Sequence, residues 1–268
     1  MGDAAQQEWQ RVGLLIPSSN TVMEVDFYRH LQPPVTVHTG RMFMEETTAA
    51  GEHRMLDEFT MPAVAAVATA RPHVVVFGCT SAGALRGNAY DTQLCEQIAE
   101  QTHAHAVSVI RAVREAIQRR NAERIGVITP YVEELNDKIR ASIEETGDVE
   151  VVDIVGLGID ENFTIAEVHP DTIVDLAVTN FADRDIDLLF ASCTNFRALD
   201  ALPALHAAQV QAGVHAALAG DRMDPQAEAR AWRSPHGGDG GRVEDDTREG
   251  GAAQNGSAPT TQPARELR

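Results

Sequence analysis

The sequence predicts an α/β fold made of two similar halves, each carrying a mostly parallel sheet. Two apolar runs of strand length end in a cysteine followed by a threonine, at Cys79-Thr80 and at Cys193-Thr194. Upstream, the run that contains Gly13 resembles the run that contains Gly126, and these glycines precede the two cysteines by 66 and 67 residues. The matched spacings indicate one strand–helix unit that occurs twice, as two pseudo-twofold-related lobes.

Short apolar or β-branched segments that alternate with helical patterns predict seven strands. They are Val12–Ile16, Thr36–Thr39, His73–Phe77, Ala106–Val109, Arg124–Ile128, Val149–Leu157 and Asp187–Ala191. Helices are predicted at Val22–Leu31, Met55–Ala70 with a break at Pro62, Thr92–Gln101, Val109–Arg119, Tyr131–Thr146 and Asp171–Phe181. This alternation is typical of sheets whose strands run parallel.

Composition divides the chain into four segments. Residues 1–10 form an N-terminal extension, 11–120 the first α/β half, 121–220 the second half and 221–268 a low-complexity tail. The tail is rich in Gly, Asp, Glu, Ser and Pro and poor in apolar residues, so we expect it to be disordered. The rest of the chain is long enough to bury a hydrophobic core.

The composition also excludes several classes of function. The net charge of −18 argues against nucleic acid or an anionic membrane as a partner, since both bind clustered cations. Three cysteines, an odd number, do not form a disulfide framework, and the N-terminus lacks the pattern of a signal peptide. No apolar run has the length of a transmembrane helix. We therefore expect a cytoplasmic protein with free thiols.

The two cysteine turns are the leading candidates for a catalytic site. Ligands of open α/β sheets bind at the carboxyl ends of the strands, which is where Cys79 and Cys193 are predicted to lie. The small and polar residues that follow, Thr80-Ser81 and Thr194-Asn195, can offer backbone N–H groups and side-chain donors. The alternative is a pair of buried core cysteines, but a core cysteine is expected inside a strand.

Polar residues after other strands complete the candidate site. Ser19 and Asn20 follow the first strand, Tyr131 follows the fifth and Asn162 follows the sixth. Each has an alternative interpretation, as a helix cap, a packed tyrosine or a turn residue. Cys95 lies in an amphipathic helix and is expected in the core.

Motifs for nucleotides and metals are missing from the sequence. There is no Gly-x-Gly-x-x-Gly turn, Walker motif, His-Glu-x-x-His or Cys-x-x-Cys. His103 and His105 have a metal-like spacing but no further ligand cluster, so we expect them on the surface. We expect neither a metal nor another cofactor.

Taken in order, these turns resemble those of a known family. Five short motifs over roughly residues 11–206 carry the resemblance, namely Pro17-Ser-Ser-Asn20, Gly78-Cys-Thr-Ser81, Thr129-Pro-Tyr131, Asn162 and Ser192-Cys-Thr-Asn195. The chain thereby resembles the maleate cis-trans isomerases of the aspartate/glutamate racemase superfamily, whose relatives include arylmalonate decarboxylase and hydantoin racemase.

The resemblance implies a pseudo-twofold pair of α/β lobes, a site between them, a homodimer and no cofactor. It implies that Cys79 is the nucleophile that adds to an alkene carbon of a small dicarboxylate, and that Cys193 donates or accepts the proton. Asn20, Tyr131 and Asn162 would hold the carboxylates. We also expect a depressed pKa for Cys79, because hydrogen-bond donors at a strand end favour the thiolate.

Two alternatives stay open at this point. One is an amino-acid or hydantoin racemase in which the two thiols exchange protons with the substrate. The other is an inactive relative that only binds small acids. Arylmalonate decarboxylase activity is disfavoured, because the resemblance assigns that enzyme only the second cysteine.

The chain departs from the family after Leu205. The resemblance implies a further strand and a Ser-Asn-Gln turn there, but from His206 the chain drifts towards low complexity and predicts no replacement strand. We interpret the change as a frameshift or an aberrant gene end near residue 206.

Overall fold

The computed structural model of the chain describes residues 9–208 and the backbone of 212–215. These residues form two four-stranded sheets in which every neighbouring pair of strands is parallel. The first sheet has the order β2-β1-β3-β4 and contains β1 (Gln10–Pro17), β2 (Val35–Met42), β3 (Val74–Phe77) and β4 (His105–Ser108). The second has the order β6-β5-β7-β8 and contains β5 (Arg124–Thr129), β6 (Glu150–Gly156), β7 (Leu188–Ala191) and β8 (Ala212–His215).

Helices connect the strands of both sheets. They are α1 (Met23–His30), α2 (Ala49–Arg54), α3 (Thr60–Ala68), α4 (Thr80–Leu85), α5 (Asn88–Thr102), α6 (Val109–Arg119), α7 (Glu133–Glu144), α8 (Asn162–Glu167), α9 (Pro170–Phe181) and α10 (Ala198–Ala207). Every residue of β3 and β7 is buried, as expected for central strands of parallel sheets that helices cover on both faces.

The identical strand orders confirm the predicted α/β fold with two related, mostly parallel sheets. Equivalent strand glycines contribute to this likeness. A methyl group on Gly13 of β1 would lie 2.6 Å from Val67 Cγ1 of α3, and one on Gly126 of β5 would lie 2.5 Å from the Phe181 ring of α9. In each half, therefore, glycine permits a helix to lie close against its sheet. The predicted boundary between residues 120 and 121 stays a prediction.

The second sheet has a strand that the sequence pattern did not predict. The expectation that no strand follows Leu205 is wrong, because Ala212–His215 forms β8 and pairs in parallel with β7. Four residues that include Gly213 carry little strand signal by themselves, and the open edge of β7 supplies the hydrogen-bonding partner. The predicted disordered tail, 221–268, and most of the N-terminal extension lie outside the described residues.

The predicted break at Pro62 is also wrong. α2, a π-helical segment (Met55–Phe59) and α3 follow one another without interruption, and Pro62 is the third residue of α3. Pro62 comes shortly after the π-helical segment, whose wider turn already departs from the regular i→i−4 bonding that a proline would otherwise interrupt.

Candidate active site

Cys79 lies just beyond β3, where the chain turns into α4. It is buried, with 5% of its surface exposed, and its backbone is still extended, with φ of −136°. The Sγ atom accepts a hydrogen bond from the Ala82 N–H group and lies 3.9 Å from Ser81 Oγ. The turn therefore directs one backbone donor and one hydroxyl oxygen towards the thiol.

Cys193 occupies the equivalent position beyond β7. Its φ of 100° lies in the left-handed region, which L residues rarely adopt and which is concentrated at functional sites. The Sγ atom accepts hydrogen bonds from the N–H groups of Asn195, at 3.3 Å, and of Phe196. The Tyr131 hydroxyl donates a third hydrogen bond to this sulfur. The thiol thus has more donors than Cys79.

The two cysteines and Tyr131 share one buried centre. Tyr131 comes from the turn after β5, is 1% exposed, and its pKa is raised by burial and by the nearby thiols of Cys193 and Cys79. Cys193 in turn contributes to the raised pKa of Cys79. The structure therefore brings together three of the predicted site residues, from the carboxyl ends of strands in both sheets.

Glu52 of α2 also belongs to this centre, and sequence reasoning missed it. The side chain is fully buried, its Oε1 atom accepts a hydrogen bond from the Ser81 hydroxyl, and its Oε2 atom has no partner among the described residues. Burial raises the pKa of Glu52 to about 8. Glu52 stands in the polar run Gly51-Glu-His-Arg54, which is typical of an exposed helix, so no pattern in the sequence could have found it.

Burial dominates the ionisation of both thiols. It raises the pKa of Cys79 well above the usual range, and the Glu52 carboxylate raises it further. The expected depressed pKa of Cys79 is therefore wrong, because the loss of water outweighs the local donors. Burial also raises the pKa of Cys193, but only to about 11, since the hydrogen bond from Tyr131 favours the thiolate.

Asn20 combines a cap with a contact between the two halves. Its Oδ1 atom accepts hydrogen bonds from the Val22 and Met23 N–H groups, at 3.1 and 3.0 Å, and so caps α1. Its Nδ2 atom donates to Thr194 Oγ1 at 3.0 Å, and the Thr194 hydroxyl donates to the Gly78 carbonyl at 3.0 Å. These bonds tie the turn of the second cysteine to the residue before the first.

Asn162 and Asn195 extend these contacts between the halves. Asn195 accepts a hydrogen bond from the Thr21 N–H group at 2.9 Å and donates to the Asn162 carbonyl at 2.6 Å. Asn162 Nδ2 donates to Ser19 Oγ at 2.7 Å, and the Ser19 hydroxyl donates to the Met44 carbonyl at 2.6 Å. We call the five residues that make these contacts between the halves the belt, namely Ser19, Asn20, Asn162, Thr194 and Asn195. Its contact with substrate stays a prediction.

Two buried hydroxyls have no hydrogen-bond partner in the described part of the chain. They are Thr80 Oγ1, next to Cys79, and Ser192 Oγ, next to Cys193. A buried hydroxyl without a partner costs free energy, and a ligand that accepts its hydrogen bond recovers that cost. Thr80 thus differs from its equivalent Thr194, whose hydroxyl already joins the two halves.

The remaining sequence candidates lie away from the thiols. Cys95 is buried in α5, as predicted, and burial raises its pKa to about 12. His103 and His105 are exposed. A surface crevice of about 640 Å³ lies between α4 and α7, and neither Cys79 nor Cys193 lines it.

Residues 9–208 show neither a metal-binding cluster nor a membrane-spanning helix. They contain no group of three or more His, Cys, Asp and Glu side chains arranged to hold a metal ion. In the same residues, no helix has the length and apolar character needed to cross a membrane.

Comparisons with known proteins identify the family of this chain. The family model described as arylmalonate decarboxylase matches residues 12–228. A maleate isomerase of Geobacillus stearothermophilus is 27% identical over 218 residues, covering 76% of this chain and 84% of the relative. A maleate isomerase of Nocardia farcinica is 26% identical over 214 residues, covering 76% and 83%.

Solved structures show the same fold. A cysteine-to-alanine variant of the maleate isomerase Iso of Pseudomonas putida S16, in a complex with maleate, superimposes with a TM-score of 0.73 at 23% identity. The match covers 84% of this chain and 93% of that one. A variant of the Nocardia farcinica maleate cis-trans isomerase that holds a covalently bound succinylcysteine intermediate superimposes with a TM-score of 0.71 at 22% identity, covering 80% and 90%.

These relatives confirm the resemblance that the five motifs indicated, and they confirm the prediction of an isomerase. The family match also continues to residue 228, past the point at which the composition changes. The chain belongs to the arylmalonate decarboxylase family.

Proposed function

We propose that the protein is a cofactor-independent cis–trans isomerase of a small dicarboxylate of the maleate type, with Cys79 as nucleophile and Cys193 as acid and base. The observation that carries the proposal is the shared buried centre of the two thiols, each just beyond the central strand of its own sheet. Ligands of such sheets bind at this end of the strands.

The reaction begins with the Cys79 thiolate. Its sulfur forms a bond to one alkene carbon, and the electron pair of the double bond moves to the other carbon, where the neighbouring carboxylate stabilises it. Cys193 transfers its S–H proton to that carbon. The former double bond is now a single bond, so the two carboxylates can rotate past each other. Cys193 then removes a proton, the C–S bond breaks and the trans alkene leaves.

Hydroxyls and amides around the thiols would hold the two carboxylates. Thr80 has an uncommitted buried hydroxyl beside Cys79, while Ser81 and Tyr131 have hydroxyls next to the two sulfurs. We assign substrate binding to these three residues together with the belt. Such donors are fixed before the substrate arrives, so they stabilise the charge that develops in the transition state.

A relative supports the covalent step. The succinylcysteine intermediate in the Nocardia farcinica enzyme is a cysteine bonded to a saturated four-carbon acid, which is the species expected after thiolate addition and protonation. We propose the same bond for Cys79. A small dicarboxylate is therefore the expected ligand of this site. The predicted homodimer and cytoplasmic location stay predictions.

The paired thiols also suit a racemase, which is the second candidate. A racemase uses its two thiols in equivalent roles, on opposite faces of one carbon. Here the surroundings differ, since Cys79 adjoins Ser81 and Glu52 whereas Cys193 adjoins Tyr131. Unequal surroundings favour unequal roles, one thiol as nucleophile and the other as acid and base.

Proton NMR of maleate with the purified protein and a chelator tests the proposal. We expect the maleate signal to fall and the fumarate signal to rise, and deuterium from heavy water to enter fumarate through Cys193. Racemisation of aspartate or a hydantoin without fumarate formation would favour the second candidate. Thermal stabilisation by these acids without any turnover would favour an inactive binder.

A further inference from the structure

Two buried groups from two helices, the Ser81 hydroxyl of α4 and the Glu52 carboxyl of α2, line up beside the proposed nucleophile. Cys79 Sγ lies 3.9 Å from Ser81 Oγ, at hydrogen-bond distance for sulfur. The Ser81 hydroxyl donates in turn to Glu52 Oε1. The thiol, the hydroxyl and the carboxylate are thus connected in one direction, from donor to acceptor. All three side chains are at most 5% exposed, so bulk water is not a competing acceptor for the thiol proton.

Within residues 9–208, no cationic side chain pairs with the carboxyl group of Glu52 to balance its charge. The titratable groups that influence it from the packed elements are the thiols of Cys79 and Cys193, the phenol of Tyr131 and the carboxylate of Glu134. The two neighbouring side chains on α2 have other partners. Arg54 pairs with Glu58, and His53 accepts a hydrogen bond from Arg86, which itself pairs with Asp57. A buried carboxylate without a cationic partner is stabilised when it takes up a proton, because its neutral form needs no water.

We propose that Glu52 is the acceptor of the Cys79 proton, which reaches it through the Ser81 hydroxyl. The proposal rests on the role of Cys79 proposed above. In the step, the Cys79 S–H bond breaks and its proton bonds to Ser81 Oγ, while the Ser81 O–H proton bonds to Glu52 Oε1. The products are a Cys79 thiolate, an unchanged Ser81 and a neutral Glu52, so charge and protons balance. Glu52 acts through Ser81 and is a positioning residue.

This arrangement accounts for the ionisation of a thiol in a site that disfavours charge. Burial holds the pKa of Cys79 well above its usual range, and a thiolate next to an ionised Glu52 would place two anions together. Transfer within the pair keeps a single negative charge, which moves from the carboxylate to the sulfur where the substrate meets it. The pair then titrates as one unit, near the pKa of about 8 of Glu52.

The sign of one pH shift separates this relay from a passive charge. If Glu52 only repels the thiolate, Glu52→Gln removes a negative charge and Cys79 becomes reactive at lower pH. If Glu52 accepts the proton, the same substitution removes the acceptor, and Cys79 becomes reactive only when it ionises by itself. The relay therefore predicts a shift to higher pH, and the passive charge predicts a shift to lower pH.

The test is the rate of Cys79 alkylation by iodoacetamide across a pH series, followed by mass spectrometry of the Cys79 peptide. In the wild type we expect the rate to rise with an apparent pKa near 8. In Glu52→Gln and Ser81→Ala the midpoint of the rise should move up by at least about one pH unit. Cys95 in the same molecules is the internal reference.

Glu134→Gln is the matched control. Glu134 is exposed and raises the pKa of Glu52 without contacting Ser81. The pH profile of Cys79 alkylation in Glu134→Gln should therefore stay in place or move slightly to lower pH. If the alkylation profile of Glu52→Gln stays in place or moves to lower pH, the relay is overturned, even if the protein isomerises maleate. The expected upward shift without turnover of maleate would support the relay and reject the proposed substrate, because alkylation needs no substrate.

Discussion

The two cysteine turns follow equivalent central strands of the two sheets, but different groups surround the two sulfur atoms. Cys79 starts a helix from an extended backbone and has Ser81 and Glu52 beside it. Cys193 adopts a left-handed backbone and accepts hydrogen bonds from Tyr131 and two N–H groups. The pKa of Cys79 is therefore raised well above its usual range, whereas that of Cys193 is raised only to about 11.

This difference shows how a repeated unit acquires unequal surroundings at its two thiols. The repeat determines where each thiol lies, because the strand order is the same in both sheets. The groups that distinguish the thiols are side chains at which the two halves differ, namely Glu52 of α2 in the first half and Tyr131 of the turn after β5 in the second. Substitutions that act on one turn and not on the other test this comparison.

The largest effect on turnover is expected for Cys79→Ala and Cys193→Ala. Each should abolish isomerisation, since one removes the nucleophile and the other the proton donor, and Cys79→Ser should fail as well because a serine hydroxyl is far less ionised. Rates from NMR and melting temperatures from circular dichroism check this. Cys95→Ala in α5 is the control and should retain its rate per folded molecule. A near-normal rate in either of the first two variants would show that the cysteines are structural.

A smaller loss is expected for Tyr131→Phe. The variant removes the hydrogen bond that favours the Cys193 thiolate, which is worth about 1.5–3 kcal/mol, so kcat/KM should fall roughly 10- to 100-fold. The pKa of Cys193 should rise while that of Cys79 does not, as measured from the pH dependence of alkylation of each peptide. Tyr90→Phe, which removes a hydroxyl bonded to Arg86 in the first half, is the matched control. Equal shifts at both cysteines would contradict the assignment.

Asn20 should affect both stability and turnover, and two variants separate these effects. Asn20→Ala removes the helix cap and the hydrogen bond to Thr194, whereas Asn20→Ser retains a capping oxygen and loses only that hydrogen bond. We expect Asn20→Ala to be less stable than Asn20→Ser by about 1 kcal/mol. Both should lower kcat/KM to a similar extent, because both loosen the contact between the cysteine turns. Unchanged kinetics in Asn20→Ala would reduce Asn20 to a cap.

The smallest effect on turnover is expected at the strand glycines. Gly126→Ala forces a methyl group against the Phe181 ring and Gly13→Ala forces one against Val67, so each should lower the free energy of unfolding by about 1–3 kcal/mol. Neither should change kcat per folded molecule. Both glycines lie inside their strands, β1 and β5, and not at the carboxyl ends of the sheets where the thiols lie. Urea unfolding measures the stability of each variant. A loss of kcat without a loss of stability would place these strands in the site.

Much of the fold could be predicted because its signals are local. Parallel strands buried on both faces are short apolar runs, so β3 and β7 were identified together with the cysteines that follow them. The strand β8 was missed because its four residues carry little signal and their pairing depends on the edge of β7. The helix break predicted at Pro62 does not occur. The π-helical segment before Pro62 belongs to the folded helix, and a proline in the sequence does not indicate it.

The candidate site shows the same division between features with a local signal and features that depend on tertiary contacts. By itself the sequence determined the repeat, the strand ends that carry Cys79 and Cys193, and the polar turns beside them, since each is a pattern of neighbouring residues. Only the tertiary structure decided that Glu52 is buried beside Ser81, that the belt joins the halves, and that burial outweighs the donors around Cys79. Burial and ionisation depend on which distant segments exclude water from a group, and spacing along the chain does not contain that information.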